Sequence, residues 1–245
     1  MNVIVTKSYE DSCQRAAEMI RAVVLANPCA KLGLATGGTP LPIYRRLIAD
    51  CKAGTLSFAG VHTVNLDEYC GLDGTHPQSY RWFMDHNLFN EIDIDKANTY
   101  VPGGLGDLAE NCRTLDRKVR EGGVPDLQLL GIGNNGHIGF NEAADFLHTD
   151  THIEQLTEST IAANARFFEN AGDVPTRAIT MGLASILAAK SIVLVATGAA
   201  KADAVRGLLC SDEVMTQNPS TFLKLHPAAT VIIDEALADA AGYRR

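Results

Sequence analysis

Leu127-Gln128-Leu129-Leu130-Gly131-Ile132-Gly133-Asn134-Asn135-Gly136-His137-Ile138-Gly139-Phe140-Asn141-Glu142 is the stretch on which the fold is decided. A mostly apolar run, too short for a helix, feeds a loop containing four glycines. Those glycines free the backbone to turn sharply and to approach a ligand closely. His137 and Glu142 arrive a few residues apart, and a carboxylate near an imidazole orients the ring and raises its basicity. A buried strand ending in such a loop is where open α/β sheets place their chemistry. The stretch therefore predicts an active-site loop with His137 as a general base; the alternative is a core histidine satisfied by a backbone carbonyl. Gly131 to Gly136 formally matches G-x-G-x-x-G. A dinucleotide fingerprint opens directly into a helix, however, and Ile138-Gly139-Phe140-Asn141 argues against one. A nicotinamide oxidoreductase is accordingly disfavoured.

Outward from this stretch, short apolar runs alternate with longer amphipathic ones. Strands are expected over residues 3–5, 32–35, 61–66, 127–130, 178–181, 192–196 and 230–233. Helices are expected over 9–26, 41–51, 77–89, 108–121, 161–168, 184–188 and 200–209. This alternation predicts an α/β fold: a doubly wound, mostly parallel sheet with helices on both faces, Rossmann-like and three-layered. No repeat, low-complexity segment or linker interrupts it, so residues 1–245 read as a single domain. Residues 142–174 are polar with weak strand signal, which suits a mobile lid or a plain surface excursion.

Three further strand ends carry chemistry. Thr36-Gly37-Gly38-Thr39-Pro40 follows a strand and precedes a helix that Thr39 is placed to cap, with Pro40 in its first position. Two glycines before a helix start expose several backbone N–H groups to one point, which is a phosphate cradle in mechanism. It is not a Walker loop, and an ordinary capped βα loop reads equally well. Asn65-Leu66-Asp67-Glu68-Tyr69 puts two carboxylates at a strand end, where one can act as a base while the other stays structural; a solvated loop is the plainer reading. Thr197-Gly198-Ala199-Ala200-Lys201 places a lysine in the first turn of a helix, where the macrodipole disfavours a cation; a bound anion removes the conflict, and a lysine swung out to solvent is the plainer alternative, at little cost.

Composition limits the partners. Apolar residues make up 46% of the 245, enough for a sizeable core, and no run of about 18 apolar residues suggests a membrane span. Met1-Asn2-Val3-Ile4-Val5-Thr6 lacks the basic head and apolar segment of a secretory signal and reads as a first strand. The six cysteines are scattered without C-x-x-C or Cys/His pairing, so neither zinc nor a disulfide framework is expected, and a cytoplasmic location is. The net charge of −8 argues against nucleic-acid binding. An anionic substrate would be repelled by the whole molecule, so its site must be locally positive.

Taken together, Leu66-Asp67-Glu68-Tyr69, His76-Pro77-Gln78-Ser79-Tyr80, Gly136-His137-Ile138, Phe140-Asn141-Glu142, Asn164-Ala165-Arg166-Phe167-Phe168 and Leu225-His226-Pro227 resemble the glucosamine-6-phosphate deaminase family over nearly the whole chain. The resemblance implies conversion of glucosamine 6-phosphate and water to fructose 6-phosphate and ammonia, with no cofactor and no metal. It implies that Asp67 moves a proton between C2 and C1, that His137 opens the ring with Glu142 as its carboxylate partner, and that Thr36, Gly37, Gly38, Thr39, Arg166 and Lys201 hold the phosphate. Some members carry Asp where this chain has Asn135; an amide orients by hydrogen bonds only, so Glu142 must supply the negative charge. Hexameric members have a basic allosteric pocket for N-acetylglucosamine 6-phosphate just beyond the active loop. His152, Glu154 and Gln155 stand there in this chain, and Glu154 would repel a phosphate. The expected form is thus unregulated, a monomer or small homo-oligomer acting on a hexosamine 6-phosphate, without nucleic acid or membrane. The rivals are a 6-phosphogluconolactonase, disfavoured by Phe140-Asn141-Glu142; a deaminase for the galactosamine epimer; and a sugar-phosphate sensor, disfavoured because Asp67, His137 and Glu142 are all present.

Overall fold

Strand β1 (Asn2–Thr6) runs into helix α1 (Tyr9–Ala26), and the alternation continues through β2 (Lys31–Leu34), α2 (Leu41–Lys52) and β3 (His62–Asn65). Then come β4 (Asp67–Tyr69), α3 (Tyr80–Met84) with a π-helical turn over Asp85–Phe89, β5 (Thr99–Tyr100), α4 (Leu108–Arg120) and β6 (Leu127–Leu130). The chain ends with β7 (His152–Gln155), α5 (Glu158–Asn164), β8 (Arg177–Thr180), α6 (Leu183–Leu187), β9 (Ile192–Ala196), α7 (Ala202–Leu209), β10 (Ala229–Asp234) and α8 (Glu235–Ala241). This computed structural model describes residues 1–244, apart from the side chains of Phe167 and Ala171; Arg245, where the expected domain ends, lies outside the described residues.

The helices form for local reasons. Ser8 caps α1 by accepting from the Asp11 N–H, and Cys13, Ala16, Ala17, Ile20 and Val24 recur at helical spacing to give one buried face. Asp107 caps α4, whose last turn carries Arg117, Lys118 and Arg120 where the dipole favours cations. Strands β9 and β10 are buried along their whole length, as expected of a parallel sheet covered on both sides.

Seven strands pair in the order β1-β10-β9-β6-β2-β3-β5, all parallel. From β2 the chain steps outward through β3 to β5. It then returns to β6 on the other side of β2 and steps the opposite way through β9 and β10. Right-handed crossovers place α1, α2 and α3 on one face and α4, α6 and α7 on the other. The direction of winding reverses between β2 and β6, so the loops after them open a crevice at the strands' carboxyl ends.

One expected strand does not belong to this sheet, and another is shorter than expected. The single strand predicted over 61–66 stops at Asn65, and β4 begins a separate three-stranded antiparallel sheet ordered β4-β8-β7. The strand predicted at 178–181 is β8, the middle of that small sheet; Ile179 and Met181 are buried in the main core, and Ala178 in the smaller cluster beside the small sheet. Leu66 joins the two sheets: its N–H donates to the Leu34 carbonyl at 3.3 Å, and its carbonyl accepts from the Met181 N–H at 2.8 Å.

Other boundaries shift as well. Thr39 does not cap α2: Pro40 occupies the cap position with helical φ/ψ, no side chain caps the helix, and Pro42 stands in the first turn instead. The helix expected over 161–168 is α5, starting at Glu158 behind the Thr157 cap, followed by a 3-10 turn over Ala165–Phe167. Lys201 ends a 3-10 turn over Ala199–Lys201 and is the cap residue of α7. β5, β7, α8 and a 3-10 run over Pro219–Leu225 were not expected: they are short, polar or alanine-rich, and tertiary packing decides them. The main core lies between the parallel sheet and its helices; a second cluster of Tyr69, Phe140, Leu156 and Ala178, with Tyr80 and Phe168 against it, lies beside the small sheet.

Candidate active site

The crevice at the switch point holds a cavity of about 210 Å³. Its lining brings together Thr36, Gly37, Gly38, Thr39, Asp67, Asn135, His137, Arg166 and Lys201, which come from five separate stretches of sequence. Glu142 stands directly behind His137. Every candidate residue of the sequence thus falls at one place.

The loop after β2 is held by its carbonyls. Tyr44 donates to the Ala35 carbonyl at 2.5 Å, and the Tyr9 hydroxyl lies 3.2 Å and 3.3 Å from the carbonyls of Gly38 and Thr39. Among the described residues, the N–H groups of Thr36, Gly37, Gly38 and Thr39 have no hydrogen-bond partner. Consecutive unpaired N–H groups at a cavity wall form an anion-binding concavity. Lys201 and Arg166 stand on the same cavity. Burial, and then the neighbouring Arg166 charge, push the Lys201 ammonium below its ordinary value. Two neighbouring cations beside four free donors make a wall suited to an anion. This is the local positive patch that a chain of net charge −8 needs.

The second wall carries the histidine. His137 Nδ1 lies 3.3 Å from Glu142 Oε2, outside hydrogen-bond alignment but within range of a charge interaction. Asn135 bridges the pair: its Nδ2 donates to Glu142 Oε2 at 2.7 Å, and its Oδ1 accepts from the His137 N–H at 3.2 Å. Thr160 and Thr157, at the start of α5, donate to the other oxygen of Glu142. Burial pushes Glu142 up, but His137, Thr160 and Asn135 outweigh it and hold the carboxyl at about 2. The ring of His137 needs Gly133: a Cβ there would stand 2.3 Å from the imidazole.

Asp67 faces this wall from the small sheet. It is 7% exposed, and among the described residues its carboxylate has no hydrogen bond. Burial first, and then the charge of Glu68, push it from 3.8 up to about 8. Gly139, with φ +58, passes close by; a Cβ there would lie 3.0 Å from Thr180 Oγ1 and 3.6 Å from Asp67 Oδ2. A buried carboxyl with no partner is free to release or take up a proton.

Sequence reasoning missed Tyr80, Phe140, Ser159, Thr160 and Asn164 in the lining. Tyr80 and Phe140 stack with centroids 6.1 Å apart and planes 10° apart. Helical capping at Ser79 and Thr157 marks the turns that bring Tyr80 and Thr160 in, but only the fold shows what they touch. Residues 142–174 are not one excursion: β7 is tied into the small sheet, whereas α5 and the turn after it border the cavity. His152 and Glu154 bind each other at 3.0 Å, and Gln155 donates to the Thr176 carbonyl. No group of three or more potential metal ligands occurs among the described residues.

Residues 6–234 match the model of the family described as glucosamine-6-phosphate isomerases/6-phosphogluconolactonase. A glucosamine-6-phosphate deaminase from Thermoanaerobacter pseudethanolicus is 49% identical over 239 residues, covering 97% of this chain and 94% of the relative. One from Clostridium perfringens is 49% identical over 239 residues, covering 97% and 98%. A solved structure of a monomeric glucosamine-6-phosphate deaminase superposes with a TM-score of 0.95 at 42% identity, covering 98% of this chain and 100% of that one.

Proposed function

Because the chain belongs to the family of glucosamine-6-phosphate isomerases and 6-phosphogluconolactonases, we infer that it converts glucosamine 6-phosphate and water to fructose 6-phosphate and ammonia. The observation that carries the residue roles is that an uncommitted buried carboxylate, a histidine backed by an ionised glutamate and a cationic anion cradle share one cavity.

The phosphate is the handle. The free N–H groups of residues 36–39, with Lys201 and Arg166, hold it away from the reacting carbons, and that binding positions C1 and C2. His137 takes the proton of the C1 hydroxyl and delivers one to the ring oxygen, opening the pyranose; Glu142 stabilises the imidazolium formed between these transfers. Asn135 fixes the geometry of the pair and adds no charge.

Asp67 as carboxylate removes the C2 proton of the open aldose and returns it to C1, while one proton of the C2 ammonium passes to O1, so that an enolamine lies between the two transfers. The product is an iminium at C2; water adds there and ammonia leaves. The buried Asp67 takes up the ionised form most readily when the C2 ammonium of the substrate stands beside it, because a nearby cation lowers a carboxyl's pKa. The same ammonium distinguishes an amino sugar from a neutral one.

A hexosamine 6-phosphate alone is the partner this reading requires, and all residues it uses come from one chain, consistent with a monomer or small homo-oligomer. A phosphorylated sugar as substrate fits a cytoplasmic enzyme. Within a single domain, α5 and the turn carrying Arg166 are the piece of the 142–174 segment placed to act as a lid. The test is incubation of the purified protein with glucosamine 6-phosphate, galactosamine 6-phosphate and 6-phosphogluconolactone. Ammonia and fructose 6-phosphate should form from the first; lactone hydrolysis without ammonia release would overturn the assignment.

A further inference from the structure

Glu68 is a buried carboxylate that the reaction leaves unused. It is 1% exposed and adjoins Asp67 in the chain. Its Oε1 accepts from the N–H groups of Tyr69 and Tyr80, both at 2.9 Å, and its Oε2 from the N–H of Arg81 at 3.0 Å. Among the described residues no acceptor reaches either oxygen, so the three donors favour the anion against burial, which pushes the carboxyl from 4.5 up to about 7. Tyr80 and Arg81 are the first residues of α3, whose cap Ser79 already accepts from the Trp82 N–H. One carboxylate therefore joins β4, which carries Asp67, to the helix start that carries Tyr80. Tyr80 in turn stacks on Phe140, in the loop of His137 and Glu142.

We propose that Glu68 is a positioning residue, an anion fixed beside Asp67 that sets the proton affinity of the base and holds Tyr80 as a wall of the substrate cavity. The inference rests on Asp67 being the base.

The surroundings leave the charge of Glu68 unopposed. Tyr44 from α2, Tyr69 on β4, Tyr80 from α3 and Cys70 after β4 all face the carboxylate pair, and burial pushes each of them up, so they stay neutral. The Arg81 guanidinium turns away to Asp85 and Thr99, and Arg177 on β8 acts on Cys70. No cation pairs with Glu68 or Asp67 among the described residues, so no ion pair offsets the repulsion between the two carboxylates.

Glu68→Gln separates charge from shape. The amide keeps Oε1 for Tyr69 and Tyr80 and loses only the acceptor for Arg81. Ammonia release by the wild type is measured first; its absence would sink the proposed function and leave this inference to the second readout. That readout is the carboxyl ¹³C titration of Asp67 in ligand-free protein, taken beside the pH profile of kcat/KM. In Glu68→Gln the Asp67 titration and the acid limb should both move down by about one pH unit, while KM rises a few-fold. Glu68→Asp keeps the charge but shortens its reach to α3, so the acid limb should stay put while KM rises. A Glu68→Gln variant that lost thermal stability with an unmoved titration and acid limb would show a merely structural role. An acid limb displaced equally by Glu68→Asp would overturn the inference as well.

Discussion

Replacing Asp67 with Asn should slow the enzyme and stabilise its fold, and the stabilisation should depend on pH. In the folded protein the Asp67 carboxyl titrates at about 8, against 3.8 when unperturbed. The folded state therefore keeps a proton that the unfolded chain loses across this interval, and stability falls as pH rises through it. Each unit corresponds to about 1.4 kcal/mol. From pH 5 to pH 8 the wild type should lose about 3–4 kcal/mol that Asp67→Asn does not lose. At roughly 2–4 °C per kcal/mol for a chain of this size, the melting temperatures should separate by about 10 °C across that span. Asn is close in shape to a protonated carboxyl, so at pH 5 the two proteins should melt within a few degrees of each other. Turnover in the variant should fall by about 10²–10⁴, as expected for loss of a proton-transfer group, with hydrogen exchange at C2 falling in parallel. The assay is thermal melting of both proteins at pH 5, 6, 7 and 8 without ligand, followed by steady-state ammonia release. Parallel melting curves at every pH would refute the claim that Asp67 is an unpartnered buried acid; near wild-type turnover would refute its role as the base.

Lys201→Ala and Arg166→Ala should each weaken sugar-phosphate binding by about one to two decades while hardly changing the slow reaction of unphosphorylated glucosamine; equal losses with both sugars would rule out a phosphate role. Tyr9→Phe removes the hydroxyl that holds the Gly38 and Thr39 carbonyls, and KM for glucosamine 6-phosphate should rise about 5-fold with kcat nearly unchanged, as steady-state kinetics would show. Initial rates against glucosamine 6-phosphate should be hyperbolic and indifferent to N-acetylglucosamine 6-phosphate, because His152 and Glu154 satisfy each other and Glu154 repels a phosphate; sigmoidal curves abolished by that compound would contradict this.

The strand-to-loop transitions that carry the site were legible because each combines an apolar run with glycines and a polar side chain, as in Leu127 to Glu142. That such strand ends face one crevice follows from the parallel alternation, whereas the strand order that sets the switch between β2 and β6 needs the structure. The second sheet was not legible. Asp67 and Glu68 look like the start of a solvated loop, yet both are buried within β4, and the polar His152–Gln155 gives no strand signal. What makes these segments strands is partners far away in sequence: Thr180 beside both Asp67 and His152. The bridging part of Asn135 was half legible. Its inability to carry charge follows from its type, but its two hydrogen bonds need the loop to fold back on itself. Thr160 binds Glu142 across 18 positions, and no local pattern announces that.

Leu66 divides the labour of the site. The grip on the phosphate grows from the parallel sheet and the base grows from the antiparallel one, with this single residue hydrogen-bonded to both. Phe140 and Asn141, bonded to Thr180 and Met181, brace the same seam, and wear there would leave a protein that still captures its ligand but handles it out of alignment. Because a misplacement of about 1 Å can cost about 10²-fold in rate, alignment leans on the main chain at Leu66, whose N–H and carbonyl take part in no chemical step.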